Sequence, residues 1–341
     1  MKRHGMAELA REAGVSIATV DRVLNGREAV SGDTRALVLA AAERIGHPAA
    51  RRLAPEPNGI RDLRFGVVLH KQGQDFYKAF AEELRRAVSL VPGVRGRLIL
   101  EFSPSQAPGE MAATLRSMAG RCDILAATAV NHPEVTAAVE ELSAKGLATF
   151  SLLTDFAQGA RAGYFGLNNL KVGRTAGWVM HQTIKKPGVV AVFIGGHRFH
   201  GHELRETGFR GYLRECAPHL SVLDTLVNLE TRQLTYEATL NLLSRHADLR
   251  GIYVSGGGME GAISALREAR PKGNLAMVVS AFTPESRAGL AEGLVTMVID
   301  TPLEKLCRAL LNTMASTAIG GATRGGIQHF LAPDLHLAES I

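Results

Sequence analysis

Only three cysteines occur in the 341 residues, Cys122, Cys216 and Cys307. They lie far apart with no Cys-x-x-Cys spacing, which argues against a disulfide framework or a cysteine-built metal site and leaves three buried or neutral thiols. Long apolar runs are also missing. The longest, Ile124–Val130 and Val189–Ile194, are strand-sized and fall far short of the ~18 residues of a membrane span. Met1-Lys2-Arg3-His4 is followed by charge rather than by a continuous apolar segment, so no secretory signal is read and the chain is expected in the cytoplasm. Low-complexity tracts and short-period repeats are lacking too. What is present is core material: 46% hydrophobic residues and a mean hydropathy of +0.04 exclude a disordered chain, and the length suits two or three domains. The net charge of +6 favours an anionic partner. Residues 1–52 hold nine Lys/Arg against six Asp/Glu, so charge alone does not mark that end as special.

Three regions follow one another. Residues 1–47 read as short helices. Residues 48–62 are rich in proline and charge and read as a hinge or linker. From residue 63 onward, short apolar runs alternate with amphipathic segments. Strands are expected at Arg64–Leu69, Arg97–Phe102, Ile124–Thr128, Leu147–Leu152, Val189–Ile194, Val222–Val227, Gly251–Val254, Leu275–Ser280, Val295–Ile299 and Ile327–Leu331. Between them lie helical patterns such as Phe76–Leu90, where Phe76, Phe80, Leu84 and Val88 recur at helical spacing. Near-continuous apolar strands alternating with helices imply parallel sheets covered on both faces. About ten strands suit two Rossmann-like lobes, with a (β/α)8 barrel as the competing architecture.

In the first region, Met6, Leu9, Ala10 and Ala13 share one helical face. Gly14 can adopt the left-handed backbone that ends a helix, and Ser16 can cap the next. The second helix, Ile17–Leu24, turns Val20, Val23 and Leu24 inward and stops at Asn25-Gly26. Asp33-Thr34 cap a third, in which Leu37, Ala41 and Ile45 repeat. This is helix-turn-helix spacing. On spacing alone a three-helix interaction module remains open. If the second helix enters a major groove, Ile17, Ala18 and Arg22 face the bases, while Ser16 and Thr19 meet phosphates.

The residues Met6-Ala-Glu-Leu-Ala-x-x-Ala-Gly-Val-Ser16, Thr19-Val-Asp-Arg-Val-Leu-Asn25, Val30-Ser and Thr34-Arg35, continuing through Gly46-His47-Pro48, resemble the head of the lactose-repressor (LacI) family. The resemblance implies a dimer on a palindromic double-stranded operator, with Ser16, Ile17, Ala18, Thr19, Arg22 and Asn25 at the DNA. Two positions depart from the pattern. Asp21 stands where the family more often has a small hydroxyl residue. Leu53, the counterpart of the family's minor-groove leucine, lies only five residues beyond Pro48 and is followed by Pro55 and Pro57; it is either that wedge or an ordinary linker residue.

Residues 64–333 resemble the periplasmic sugar-binding-protein fold (periplasmic-binding-protein type I), particularly its ribose-binding branch. The resemblance implies a two-lobe effector-binding and dimerisation domain over 63–341, with lobe 1 at about 63–166 and 301–325 and lobe 2 at about 167–300 and 326–341. It also implies an effector cleft lined by Phe76, Tyr77, Asp155, Asn168, Arg205 and Asp300. Asp155 and Asp300 can equally be helix caps, Arg205 a surface residue and Phe76 ordinary packing. Ser255-Gly-Gly-Gly258 and Val279-Ser-Ala-Phe282 stand where relatives carry an Asn-Asp pair and a motif ending in Asp, which argues for a less hydroxylated effector than a pentose. The glycines permit close backbone approach, so main-chain amides are further candidates.

Other constellations carry less. His197, His200 and His202 invite a metal reading, but no acidic pattern of a zinc motif accompanies them; a cleft contact or a solvated loop are the alternatives. Gly256–Gly258 lacks the Lys-Ser/Thr of a phosphate loop, and no Gly-x-Ser-x-Gly elbow exists. No catalytic residue, metal or cofactor is expected, and no membrane partner. The whole reads as a ligand-responsive repressor, released from its operator by a sugar, cyclitol or derivative. A transport-type solute receptor without DNA binding is the alternative.

Overall fold

A computed structural model describes residues 5–25, 30, 32–47, 49–50, 61–269, 275–320 and 327–341. Leu53, most of the expected linker and the side chain of Asn25 lie outside the described residues. The chain divides into two compact units, one of residues 1–62 with 93–95 and one of the remainder.

The first unit holds three helices: α1 (Met6–Ala13), α2 (Ile17–Asn25) and α3 (Gly32–Arg44). Gly14 ends α1 at φ 69°, a conformation without steric penalty only for glycine, and its N–H reaches the Ala10 and Arg11 carbonyls. Two residues later the Ser16 hydroxyl accepts the Thr19 N–H at 3.0 Å, capping α2. Leu9, Ala10, Ala13, Val20, Val23, Val38, Ala41 and Ala42 form the core. The expected inward Leu37 is 56% exposed, and Val38 is buried in its place. Spacings of 37/41/45 and 38/41/42 are both helical, and the packing against α1 selects the second. Exposed Arg44 and Glu12 pair at 2.9 Å between α3 and α1.

The second unit is built on two sheets. The elements in order are β1 (Arg61–His70), α4 (Asp75–Val88), β2 (Val94–Ser103), α5 (Pro108–Ser117), β3 (Ile124–Ala127), α6 (Pro133–Ala144), β4 (Thr149–Leu152) and β5 (Gly163–Leu167). There follow α7 (Asn169–Thr183), β6 (Gly188–Ile194), α8 (His200–Cys216), β7 (Leu220–Val222), β8 (Leu226–Val227), α9 (Arg232–Arg245), β9 (Leu249–Val254) and α10 (Met259–Ala269). The last elements are β10 (Ala276–Ser280), α11 (Pro284–Ala291), β11 (Met297–Asp300), α12 (Leu303–Gly320), β12 (Ile327–Leu331) and β13 (Asp334–His336). The sheet of lobe 1 runs β12-β5-β4-β3-β1-β2, and that of lobe 2 runs β13-β11-β10-β9-β6-β7, with β8 also on β6. Separate sheets exclude the barrel. Parallel pairing from β1 through β3 and β4 to β5 and β12, and from β6 through β9 to β11, is the arrangement the apolar strands predict.

Three differences from the sequence reading have local causes. Strand β5, Gly163-Tyr-Phe-Gly-Leu167, was not expected, because glycine weakens the strand signal. A Cβ on Gly163 would meet Ile327 and Phe150 at 3.0–3.1 Å, so the crowded sheet itself requires that glycine. The single strand Val222–Val227 is two short ones, β7 and β8. Finally, β12 pairs with β5 in lobe 1, which corrects the assignment of 326–341 to lobe 2; of this tail only β13 joins the second sheet, antiparallel to β11. The chain therefore passes between lobes after β5, after β11 and after β12.

Candidate functional site

On the head, α2 turns Val20 and Val23 into the core, which leaves Ser16, Ile17, Ala18 and Arg22 exposed and Thr19 half-buried. Ile17 is 51% exposed, an apolar side chain that no described residue of the head covers. The face thus offers a guanidinium, two hydroxyls and a hydrocarbon. That mixture suits base edges, phosphates and thymine methyls. Ser16 is already committed to Thr19, whose hydroxyl it also meets at 2.8 Å.

In the body, the parallel strands of both sheets end at one cleft, the place where α/β sheets gather ligands. It spans about 770 Å³, part of which is open solvent at its rim. Lobe 1 contributes His70 and Thr128, at or just past the ends of β1 and β3, Thr154 past β4, and Gln74, Phe76 and Tyr77 at the start of α4. Lobe 2 contributes Asn169, His202, Arg205, Glu230, the Gly256–Gly258 turn and Ser280. Five of the six described non-glycine residues with positive φ, namely Lys71, Leu153, Leu229, Glu230 and Ala281, sit just past strand ends around this cleft. Such backbone costs of order 1–3 kcal/mol per residue and persists only where surrounding bonds impose it.

Arg205 on α8 is held by three acceptors: Asn169 Oδ1 at 2.7 Å, the Ser255 carbonyl at 2.6 Å and the Ser280 hydroxyl at 3.1 Å. None is charged, so the guanidinium keeps its full positive charge at the cleft wall. Helix α8 reaches that position because Gly173 and Gly208 let it lie almost on the backbone of α7. A Cβ on Gly173 would stand 1.9 Å from the Arg205 carbonyl oxygen, and one on Gly208 2.1 Å from that of Leu170.

Tyr77 closes the floor, its hydroxyl in a short hydrogen bond with His70 Nε2 and its ring edge-on to the imidazole. Burial pushes His70 down to about 4, so the ring is neutral at pH 7. His70 Nδ1 and the Thr128 hydroxyl are buried with no hydrogen-bond partner among the described residues. His202 is likewise pushed down to about 4 by burial. Glu230 is pulled the other way from its desolvation, to about 2, by His202, His70 and Lys71 and by the Gly257 N–H. With both imidazoles neutral at pH 7, Lys71 Nζ at 3.3 Å and the Gly257 N–H are the groups that favour its ionised form there.

Of the six expected effector residues, Phe76, Tyr77 and Arg205 line the cleft. The structure does not bring the other three there. Asp155 is consumed by Arg161 Nη2 at 2.7 Å, Ser151 Oγ at 2.7 Å and Gln158 Nε2 at 3.0 Å. Asn168 caps α7, accepting the Lys171 N–H at 3.1 Å. Asp300 accepts the Phe282 N–H at 2.9 Å, and burial raises its pKa. In each case the chain neighbour lines the cleft instead: Thr154, Asn169 and Thr301. The histidine cluster also divides. His202 lines the cleft half-buried, His197 is exposed, and His200 faces Glu203 at 3.4 Å. Among the described residues no group of three or more His, Cys, Asp or Glu is placed to hold a metal ion. The cysteines are unpaired, as the sequence reading has them; Cys122 and Cys307 are buried and Cys216 is exposed. No helix among the described residues is long and apolar enough to cross a membrane. His70, Gln74, Thr128 and Glu230 were not anticipated. Polar residues at strand ends would have flagged His70 and Thr128, whereas Glu230 follows a strand of only two residues.

Residues 65–322 match the family described as "Periplasmic binding protein domain", and residues 5–48 match "Bacterial regulatory proteins, lacI family". The chain is 37% identical over 84 residues to the HTH-type transcriptional regulator reg1 of Streptomyces lividans, covering 25% of this chain and 23% of that one. It thus spans under a quarter of the length of the curated relatives it matches. Among solved structures it is similar to GanP, a glucose-galactose binding protein from Geobacillus stearothermophilus, with a TM-score of 0.72 at 16% identity, over 82% of this chain and 99% of that one. A solute binding protein from Agrobacterium vitis with bound D-fucose superimposes with a TM-score of 0.74 at 13% identity, over 81% and 96%. Likeness at such identities speaks for the fold alone.

Proposed function

The chain belongs to the periplasmic binding protein domain family and carries a lacI-family head, and from that premise we propose that it is an effector-responsive, DNA-binding regulator of transcription. The observation that carries the reading is the union, in one chain, of a helix-turn-helix with its second helix turned outward and a two-lobed body whose strand ends form a cleft. A transport receptor has no use for the first part. The regulator works as a dimer on a palindromic operator, in the cytoplasm, and as a repressor rather than an enzyme.

The effector is a small, polar, largely uncharged ring: a sugar, a cyclitol or a derivative. Phe76 and Tyr77 supply an apolar wall, and Arg205, Asn169 and Ser280 supply a fork of polar groups. Closure on the effector changes the body's conformation, and a ligand that prefers one state shifts operator affinity by its differential affinity for the two.

The test has two arms. Selection of the purified chain on random double-stranded DNA should enrich a palindromic site; failure to enrich any site at low salt would sink the regulator reading. A thermal-shift screen of sugars and polyols should then yield an effector that weakens operator binding. Arg205→Ala should lose that response while retaining the operator, and a normal induction curve would remove Arg205 from the site.

A further inference from the structure

Glu230 sits on a turn of lobe 2 that its own lobe holds tightly. Leu229 and Glu230 both adopt left-handed backbone, at φ 49° and 53°. Asn228, itself buried, fixes them: its Oδ1 accepts the Glu230 N–H at 2.8 Å, while its Nδ2 donates to the Gly257 carbonyl and the Thr235 hydroxyl, each at 2.9 Å. The glycine turn is cut to the shape of the carboxylate arm. A Cβ on Gly195 would stand 2.4 Å from Glu230 Cγ, and one on Gly257 3.0 Å from Glu230 Cβ. The main-chain amide that a ligand was expected to use, Gly257 N–H, is directed at Glu230 Oε1 at 3.2 Å.

What this turn presents to lobe 1 is a set of acceptors, and lobe 1 meets them with donors. Lys71 Nζ lies 3.3 Å from Glu230 Oε2, and Gln106 Nε2 donates to the same oxygen at 3.1 Å. Gln74 Nε2 donates to the Glu230 carbonyl at 2.7 Å, and Lys71 also donates to the Leu229 carbonyl. Lys71 is itself in left-handed backbone, at φ 50°, directly past β1. The ion pair is largely shielded, with side-chain exposures of 18% for Lys71 and 7% for Glu230. A pair in such a place is screened less than a surface pair. Opening the lobes would strip Glu230 of its cationic partner while leaving it among Gly257 and the neutral His202 ring.

We propose that Glu230 is the positioning residue of cleft closure: its carboxylate and its carbonyl tie lobe 2 to Lys71, Gln74 and Gln106 of lobe 1 using protein groups alone, so the closed body is populated before any effector arrives. The inference rests on the reading of this cleft as the effector site. The effector then adds its affinity to a closure that the chain has already begun, and the apparent affinity scales with the closed fraction set by the latch.

The experiment is hydrogen–deuterium exchange on the full chain without effector or DNA, so it stands apart from the operator and effector tests and can fail independently of them. Glu230→Gln keeps the shape and removes the charge; Lys71→Met keeps the aliphatic stem. Each should speed exchange about tenfold, equivalent to about 1.4 kcal/mol, in the segments 71–77, 103–107 and 228–231 while leaving the strands of both sheets protected. The double variant should exchange no faster than Lys71→Met, which removes the Glu230 ion pair together with the Leu229 carbonyl bond, because Glu230→Gln then has no ion pair left to cut. Unchanged exchange in either single variant, additive effects in the double variant, or loss of protection throughout the body would overturn the proposal. Should Glu230→Gln fail to fold, Lys71→Met at the rim gives the same reading alone: local loss of protection supports the latch and none refutes it.

Discussion

The head and the body use their residues in opposite ways. In the head, the residues that fold it and those proposed to meet DNA alternate along one short helix: Val20 and Val23 inward, Ile17, Ala18 and Arg22 outward. Every side chain proposed for DNA contact lies within about two turns of the others, so one stretch of sequence holds both the fold and the proposed site. In the body, the cleft draws on residues from His70 to Thr301 and on both sheets. No local pattern spans that distance, and the site exists only once the sheets are formed and the lobes meet. The body should therefore show large effects from changes that touch no partner, while the head's effects should be small and local.

The largest such effect is expected from acid. His70 and His202 are pushed from 6.5 to about 4 by burial, so between those values the unfolded chain binds protons that the folded cleft refuses. Stability is then full above pH 6.5 and falls as the pH drops toward 4, by on the order of a few kcal/mol for the two together. Glu230, depressed to about 2, extends the loss below pH 4.5. Urea unfolding of the body as a function of pH should show this slope, and His202→Gln should reduce it. A pH-independent midpoint between 4 and 6.5 would mean the imidazoles are not desolvated in the folded cleft. The head carries no comparable buried histidine among its described residues, so its pH profile should stay flat over the same range.

Next comes Gly173→Ala, which adds one methyl group between two helix backbones. Neither backbone can step aside like a side chain, so about 2–3 kcal/mol of destabilisation is expected, toward the top of the overpacking range. Because the clash is with the Arg205 carbonyl, effector response should fall more than stability does. Full stability and response in this variant would show that α7 and α8 have slack.

How legible each region was follows from the same contrast. The head's cap, turn and reading helix were readable because Gly14, Ser16 and the 20/23 spacing act within a few residues. The body's layers were readable from apolar runs, except where glycines serve packing, as in β5. In the cleft, Asp155, Asn168 and Asp300 were each one residue from the position that faces it. Reasoning by residue type favours the acid or amide. Yet at a strand end the facing position is decided by where the chain leaves the sheet, and the more strongly polar neighbour is taken by Arg161, the α7 cap or the Phe282 N–H. Glu230 was illegible for a different reason: its partners Lys71 and Gln106 are more than a hundred residues away.

In the head, Arg22→Ala should weaken specific operator binding by roughly 1–3 kcal/mol if the guanidinium reads a base, with non-specific binding nearly unchanged. Equal losses on specific and random DNA would make Arg22 a phosphate contact instead.

The smallest effect concerns Ser16, where the two uses of the head's residues coincide. Its hydroxyl caps α2 through the Thr19 N–H, and the same helix end is where a phosphate is expected. Ser16→Ala removes both and should cost about 1 kcal/mol of head stability. Ser16→Asp separates them, because aspartate caps as well as serine while placing a charge against the DNA backbone. The aspartate variant should melt like the parent yet bind operator more weakly. If instead both variants bind DNA like the parent, Ser16 is a cap only, and the head keeps folding and recognition on separate side chains after all.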